Sequence, residues 1–163
     1  MTNNSITQPT TRRFLAAAVA ATAGVALASV ALAAECPVDK RGVNVTKPGA
    51  TASTGVADTV LTSIDLSKEK LALADHQLRL RRLVVEPNGI VAWHSHEDRP
   101  AIIYIISGEI YEYASNCSVP ILHRAGDVTP ERSATAHWWQ NTGKETVVLL
   151  SADVLHDAND HNM

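Results

Sequence analysis

The chain has 163 residues, enough for one domain with a buried core but not comfortably for two. It carries 14 Lys and Arg against 17 Asp and Glu, a formal charge of −3. That balance is poorly suited to nucleic acid, whose phosphates demand a basic face.

The N-terminal stretch reads as a targeting segment. Arg12-Arg13 gives a basic start, Phe14 to Leu32 is an uncharged run of mostly Ala and Val, and Ala31-Leu32-Ala33 offers small residues at a cleavage site. The pattern predicts a signal peptide over residues 1–33, by a general secretory or twin-arginine-like route. A retained anchor is the rival, because the run approaches the roughly 20 residues a bilayer requires. An Ala-rich run ending in a cleavage triplet favours removal, which leaves no membrane anchor and a periplasmic or secreted domain. Losing both arginines takes the mature charge to −5. Two cysteines remain, Cys36 and Cys117, and in an oxidising compartment an even pair predicts one disulfide.

Residues 34–55 hold Pro37, Gly42, Pro48, Gly49 and Gly55 with little periodicity, and read as an extended arm. From Val56 the pattern turns β-like. Thr59 to Ile64 and Leu78 to Arg81 alternate as half-buried strands, with Leu66 to Leu73 a helical turn or loop between them. Arg79, Arg81 and Arg82 read as a solvated strand face. Pro87-Asn88-Gly89 is turn chemistry. Ala101 to Ile106 is a continuous apolar run, expected to be a strand buried on both faces. Ile110 to Tyr113, Pro120 to His123, Thr135 to Gln140 and Thr146 to Ser151 add further strands. About eight short strands with turns every eight to twelve residues predict an all-β sandwich or barrel over 56–157. Residues 158–163 form a tail. Apolar residues on the opposite parity to the inner face, Ile102, Tyr104 and Trp138, suggest a covered outer face and a homodimer.

Of seven histidines, three stand out. His94 and His96 are two apart in a strand-like segment, so both imidazoles project from one face and can share an ion. His137 lies in a later strand. His76, His123 and His156 lack such partners and read as surface or satisfied histidines. Trp139 shares parity with His137 and is a candidate pocket wall. Arg99, near the mouth, is a candidate carboxylate anchor. Asn141 is expected to fix a turn.

Asn88-Gly89, His94-Ser95-His96 and Gly108 resemble the first motif of the cupin superfamily, and Gly126, His137 and Asn141 resemble the second. The resemblance covers roughly residues 78–152. It implies a jelly-roll β-barrel behind an extended N-terminal arm, with one divalent ion (Fe, Mn, Ni, Cu or Zn) held by His94, His96 and His137. Departures from the motifs bear on function. The first Gly falls on Asn88, the second motif's Pro on Arg132 and its inner Gly on Ala134. The family's metal-binding Glu falls on Ala101, so the usual set is reduced to three histidines. Asp98 shares parity with His96 and is a candidate replacement.

A three-histidine cupin site resembles those of thiol and β-diketone-cleaving dioxygenases, which implies an Fe(II)-dependent oxygenase on a small anionic substrate. Two other readings stay open: a non-catalytic module for a metal or small ligand, and a metal-independent isomerase-like cupin with a histidine base.

Overall fold

The computed structural model describes residues 34–156; the predicted signal peptide and the C-terminal tail lie outside the described residues. Eight strands follow in chain order. β1 spans Thr54–Asp65, β2 Gln77–Ser95, β3 Ala101–Ser107 and β4 Glu109–Ala114. β5 spans Ile121–Arg124, β6 Val128–Glu131, β7 Ala136–Gln140 and β8 Val147–Leu155. Two three-residue 3₁₀ turns, Val38–Lys40 and Leu66–Lys68, complete the regular structure. Among the described residues no helix is long and apolar enough to cross a membrane.

All strand pairs are antiparallel, in the order β5-β4-β7-β2-β8-β3-β6, with β1 also on β2. This one sheet curls on itself as a jelly-roll barrel. β2 is the strand that turns the corner. Its first half, to Val85, pairs with β8, and its last residues, from Ile90, pair with β7. The switch falls at Pro87-Asn88-Gly89, which bends the strand rather than ending it. Asn88 there takes φ 64°, the left-handed region that Asn tolerates better than most residues. Ala134, at the other motif position expected to be Gly, takes φ 69° with a Cβ in place.

β8 alternates without a break, with Val147, Leu149, Ser151, Asp153 and Leu155 buried. Inward residues of β2, Leu83, Val85 and Val91, meet Ile103, Ile105, Ile110, Trp139 and Leu149 to form the core. Fully burying each Ile or Leu here contributes about 1.5–3 kcal/mol relative to exposure. Further along the same inward rows the side chains become polar: Arg81 on β2, then Ser151 and Asp153 on β8. The barrel therefore has an apolar layer and, above it, a buried polar one.

Two strand expectations need correction. The Ala101–Ile106 run is buried on one face only, because Ile102, Tyr104 and Ile106 are 55%, 42% and 45% exposed. An all-apolar sequence had hidden a plain alternation. β1 is exposed along nearly its whole length, not half-buried, since it adds to β2 outside the barrel wall. It also starts at Thr54, just before the expected boundary.

The arm preceding β1 is tied down covalently. Cys36 and Cys117 form a disulfide across 81 positions. The Thr46 hydroxyl donates to the Cys117 carbonyl, and Arg41 bridges to Cys117 as an isolated β-pair.

Candidate metal centre

His94 and His96 enter from the end of β2, and His137 faces His94 across the β2–β7 pairing. All three are buried, at 7%, 3% and 1% exposure. Their Nε2 atoms converge: His94 to His96 3.1 Å, His96 to His137 2.9 Å, and His94 to His137 3.1 Å.

Each Nδ1 already has an acceptor. His94 Nδ1 is 2.8 Å from the Ala92 carbonyl, His96 Nδ1 2.7 Å from the Arg99 carbonyl, and His137 Nδ1 2.7 Å from Glu112 Oε1. A ring that donates through Nδ1 carries its lone pair on Nε2, so three lone pairs point at one spot. Such an arrangement is repulsive unless a cation sits there. With imidazole ligands about 2.1 Å from a metal, these separations correspond to angles of roughly 90°, three adjacent corners of an octahedron. The donor set fits a divalent first-row ion with open positions beside it.

Burial lowers His94 well below the usual imidazole value and, with the charge of His137, brings His96 down to about 4. Both are therefore neutral and ready to ligate at neutral pH. His137 goes the other way. Burial pushes it down, but the Glu131 charge and the Glu112 hydrogen bond outweigh that and raise it. Metal and proton compete for this ring.

The carboxylates behind His137 went unread in the sequence. Glu112 Oε1 takes His137 Nδ1, and its Oε2 takes His123 Nε2 at 2.8 Å. Burial raises the Glu112 carboxyl, yet the hydrogen bonds from His123 and His137 prevail and hold it at about 2. His123 is fully buried and thus belongs to the site's support rather than to the surface. Glu131 Oε2 lies 3.6 Å from His137 Nδ1, and burial, with the charge of Glu112 adding, pushes Glu131 up to about 7. Glu112, Glu131 and His137 form a second group whose donor atoms lie within 4.8 Å of one another. Parity offered a signal for Glu112, which alternates with Ile110 and Ala114 in β4.

The remaining site candidates are placed as follows. Trp139 lines the histidine cavity, 4% exposed, with its Nε1 3.3 Å from His137 Nε2. Ala101 is buried but lies outside the cavity lining, paired in register with Asp153 and Glu131. Arg99 is not a solvated mouth residue. It is 3% exposed, its carbonyl holds His96, and its Nε is 3.9 Å from Asp153. Asp98 and Glu97 are exposed. Trp138 stacks on Tyr113 with ring centroids 4.0 Å apart, and Asn141 donates to the carbonyls of Val85, Glu86 and Glu145 around its turn.

Arg81, which the strand pattern places on a solvated face, is buried and lines the cavity instead. The space is about 30 Å³, enclosed by Arg81, the three histidines, Ser151, Trp139 and core aliphatics. It is room for little more than one water-sized body.

A model for the cupin domain matches residues 81–153. The oxalate-binding protein of Thermotoga maritima is 33% identical over 90 residues, spanning 55% of this chain and 71% of that protein. The chain belongs to the cupin family. Among solved structures, a predicted oxalate decarboxylase from Thermotoga maritima superposes with a TM-score of 0.52 at 22% identity, over 80% of this chain and 99% of that one. The cupin domain of Schizosaccharomyces pombe Cnp3 has a TM-score of 0.48 at 13% identity, over 61% of this chain and 64% of that one. The second cupin is thus spanned over less than two thirds of its length. The likeness to the Thermotoga maritima structure speaks to fold alone, and it agrees with the single curled sheet described above.

Proposed function

We propose that this is an exported cupin that holds one divalent ion through His94, His96 and His137 and takes a small organic anion at that ion. The observation that carries the reading is the set of three Nδ1 donors, each already engaged, with three Nε2 lone pairs 2.9–3.1 Å apart. Among the described residues no carboxylate completes the cluster on its Nε2 side, so a bound ion keeps its +2 charge and favours an anionic ligand. The oxalate-binding relative supports a small carboxylate as that ligand.

When bound, the ion would supply Lewis acidity and open coordination positions; with iron, those positions suit dioxygen chemistry on a thiolate, enolate or carboxylate. The chain's own residues orient the three rings, exclude water through Trp139 and the aliphatic wall, and hold a proton on His137 Nδ1. Oxygen uptake by the Fe(II) protein with small thiols, β-diketones and oxalate tests turnover. Substrate-dependent uptake supports an oxygenase, whereas anion binding without uptake supports the binding module.

The disulfide supports export, and intact mass of periplasmic material should show a chain beginning at Ala34 with no free thiol. Exposed Ile102, Tyr104, Ile106 and Val128 on β3 and β6 support a homodimer. Light scattering giving a monomer at micromolar concentration would remove that assembly.

A further inference from the structure

Three guanidinium groups gather beside the histidine cavity. Arg79 makes a two-pronged contact with Asp153, at 3.1 and 2.7 Å. Arg81 donates from Nη1 to Asp58 at 2.6 Å, and its Nη2 lies 3.3 Å from both Ser151 Oγ and Asp153. Arg99 Nε lies 3.9 Å from Asp153. Arg79 and Arg81 thus share the carboxylates Asp58 and Asp153, with Arg99 close by. The histidines add no charge of their own once ligating, and a metal adds two more.

Arg81 alone of the three arginines lines the cavity. It is 5% exposed, and its Nε has no acceptor among the described residues. A buried guanidinium N–H left unmet is costly, and a planar fork with one prong open is suited to a carboxylate oxygen.

We propose that Arg81 anchors the carboxylate of a small organic acid, its Nε–H donating to one oxygen while the acid's remaining donor atoms face the histidine cluster. This deepens the anion-binding reading and rests on it only for the second contact, which the ion provides. The cavity of about 30 Å³ favours the smallest carboxylates, formate before acetate. Asp58 tunes the anchor. It comes from β1, the strand that otherwise stays outside the barrel, and partly neutralises Arg81 from the rim. Specificity for an anion over its neutral isostere then follows, because a charge-assisted hydrogen bond to the open guanidinium N–H and the charge of the ion both favour a carboxylate over an amide.

The test uses the Co(II)-loaded protein, whose visible spectrum reports ligand exchange, titrated with formate and acetate against formamide and acetamide. The metal-free protein is titrated with formate by calorimetry alongside. In the wild type the carboxylates should perturb the spectrum and the amides should not. Arg81→Gln should keep its cobalt and bind carboxylates at least tenfold more weakly. Asp58→Asn, which leaves Arg81 less neutralised, should bind them severalfold more tightly, and this variant stands in if Arg81→Gln does not fold. Unchanged carboxylate affinity in the folded variants, or an equal response to the amides, overturns the anchor. A wild type that takes up no cobalt refutes the metal reading instead, and the Arg81 and Asp58 dependence of formate binding to metal-free protein then decides the anchor separately.

Discussion

The two nitrogens of His137 face opposite chemistry. On the Nε2 side lie two further neutral imidazoles and Arg81, around a cavity of about 30 Å³. On the Nδ1 side lie Glu112 and Glu131, lining a second and wider cavity of about 460 Å³ whose wall includes Cys36. Positive charge is gathered where an anion would bind, and negative charge where a proton must be held. The Glu112 hydrogen bond favours the tautomer of the ring between them that turns its Nε2 lone pair toward the other two imidazoles. A single imidazole thus links ligand orientation to ligand recognition: Glu112 acts on the cluster through it, whereas the disulfide-bonded wall behind it does not touch the ring.

The largest effect is expected from Glu112→Ala. It strips the acceptor from both His123 and His137 inside the core, at a cost of about 3–5 kcal/mol by analogy with other broken buried pairs. Metal affinity should fall roughly 10- to 100-fold, as when an orienting partner of a ligating histidine is removed. Urea unfolding and competitive chelation measure the two losses. A variant with normal metal affinity would mean that Glu112 does not orient the ring.

Replacing Cys36 and Cys117 by Ser disturbs only the carboxylate side, because the bridge pins the wall of that wider cavity. For a loop of 81 residues the chain-entropy estimate is roughly 4 kcal/mol. Melting temperature should drop while metal content stays at the wild-type level. Loss of metal along with the bridge would show that the two sides are not separable.

Glu131→Gln is the next test. The folded-state value of Glu131, about 7, lies above the usual 4.5, so the fold favours its protonated form. Its contribution is complete below pH 4.5 and is lost as pH rises through 7, a change on the order of 3 kcal/mol. Metal-free wild type should therefore lose stability between pH 5 and 8, and Glu131→Gln should lose less. Parallel stability profiles would remove Glu131 from the account.

The smallest effect concerns the loop between Glu131 and His137. Ala134 holds a left-handed backbone with φ 69°, where a Gly would be unstrained. Ala134→Gly should raise stability by up to about 1 kcal/mol in urea unfolding, with metal content unchanged.

Much of this was legible in the sequence, unevenly and for physical reasons. The His-x-His pair needs only the two-residue period of a strand to place both rings on one face, and the barrel follows from short strands at regular spacing. Asn88 kept the backbone conformation of the Gly it replaces, so the motif survived the substitution. Arg81 was misread although Leu83 and Val85, on its own parity, are plainly core. Its burial depends on Asp58 and Asp153, which lie 23 and 72 positions away, and no local pattern reveals such a partner. Glu112 was missed for the same reason, since its reward for burial comes from His123 and His137. Charged residues that fold inward are decided by long-range pairing, and alternation alone shows only that they are permitted to.

Metal content per chain tests the central claim most directly. Protein as purified, or metal-free protein refilled with Fe(II), Mn(II) or Zn(II), should carry one ion per chain by elemental analysis. His96→Ala should reduce this by at least tenfold, and His76→Ala, whose ring lies in another cavity, should not change it. Equal metal content in the two variants, or no bound ion in wild type under any of these metals, would contradict the three-histidine centre.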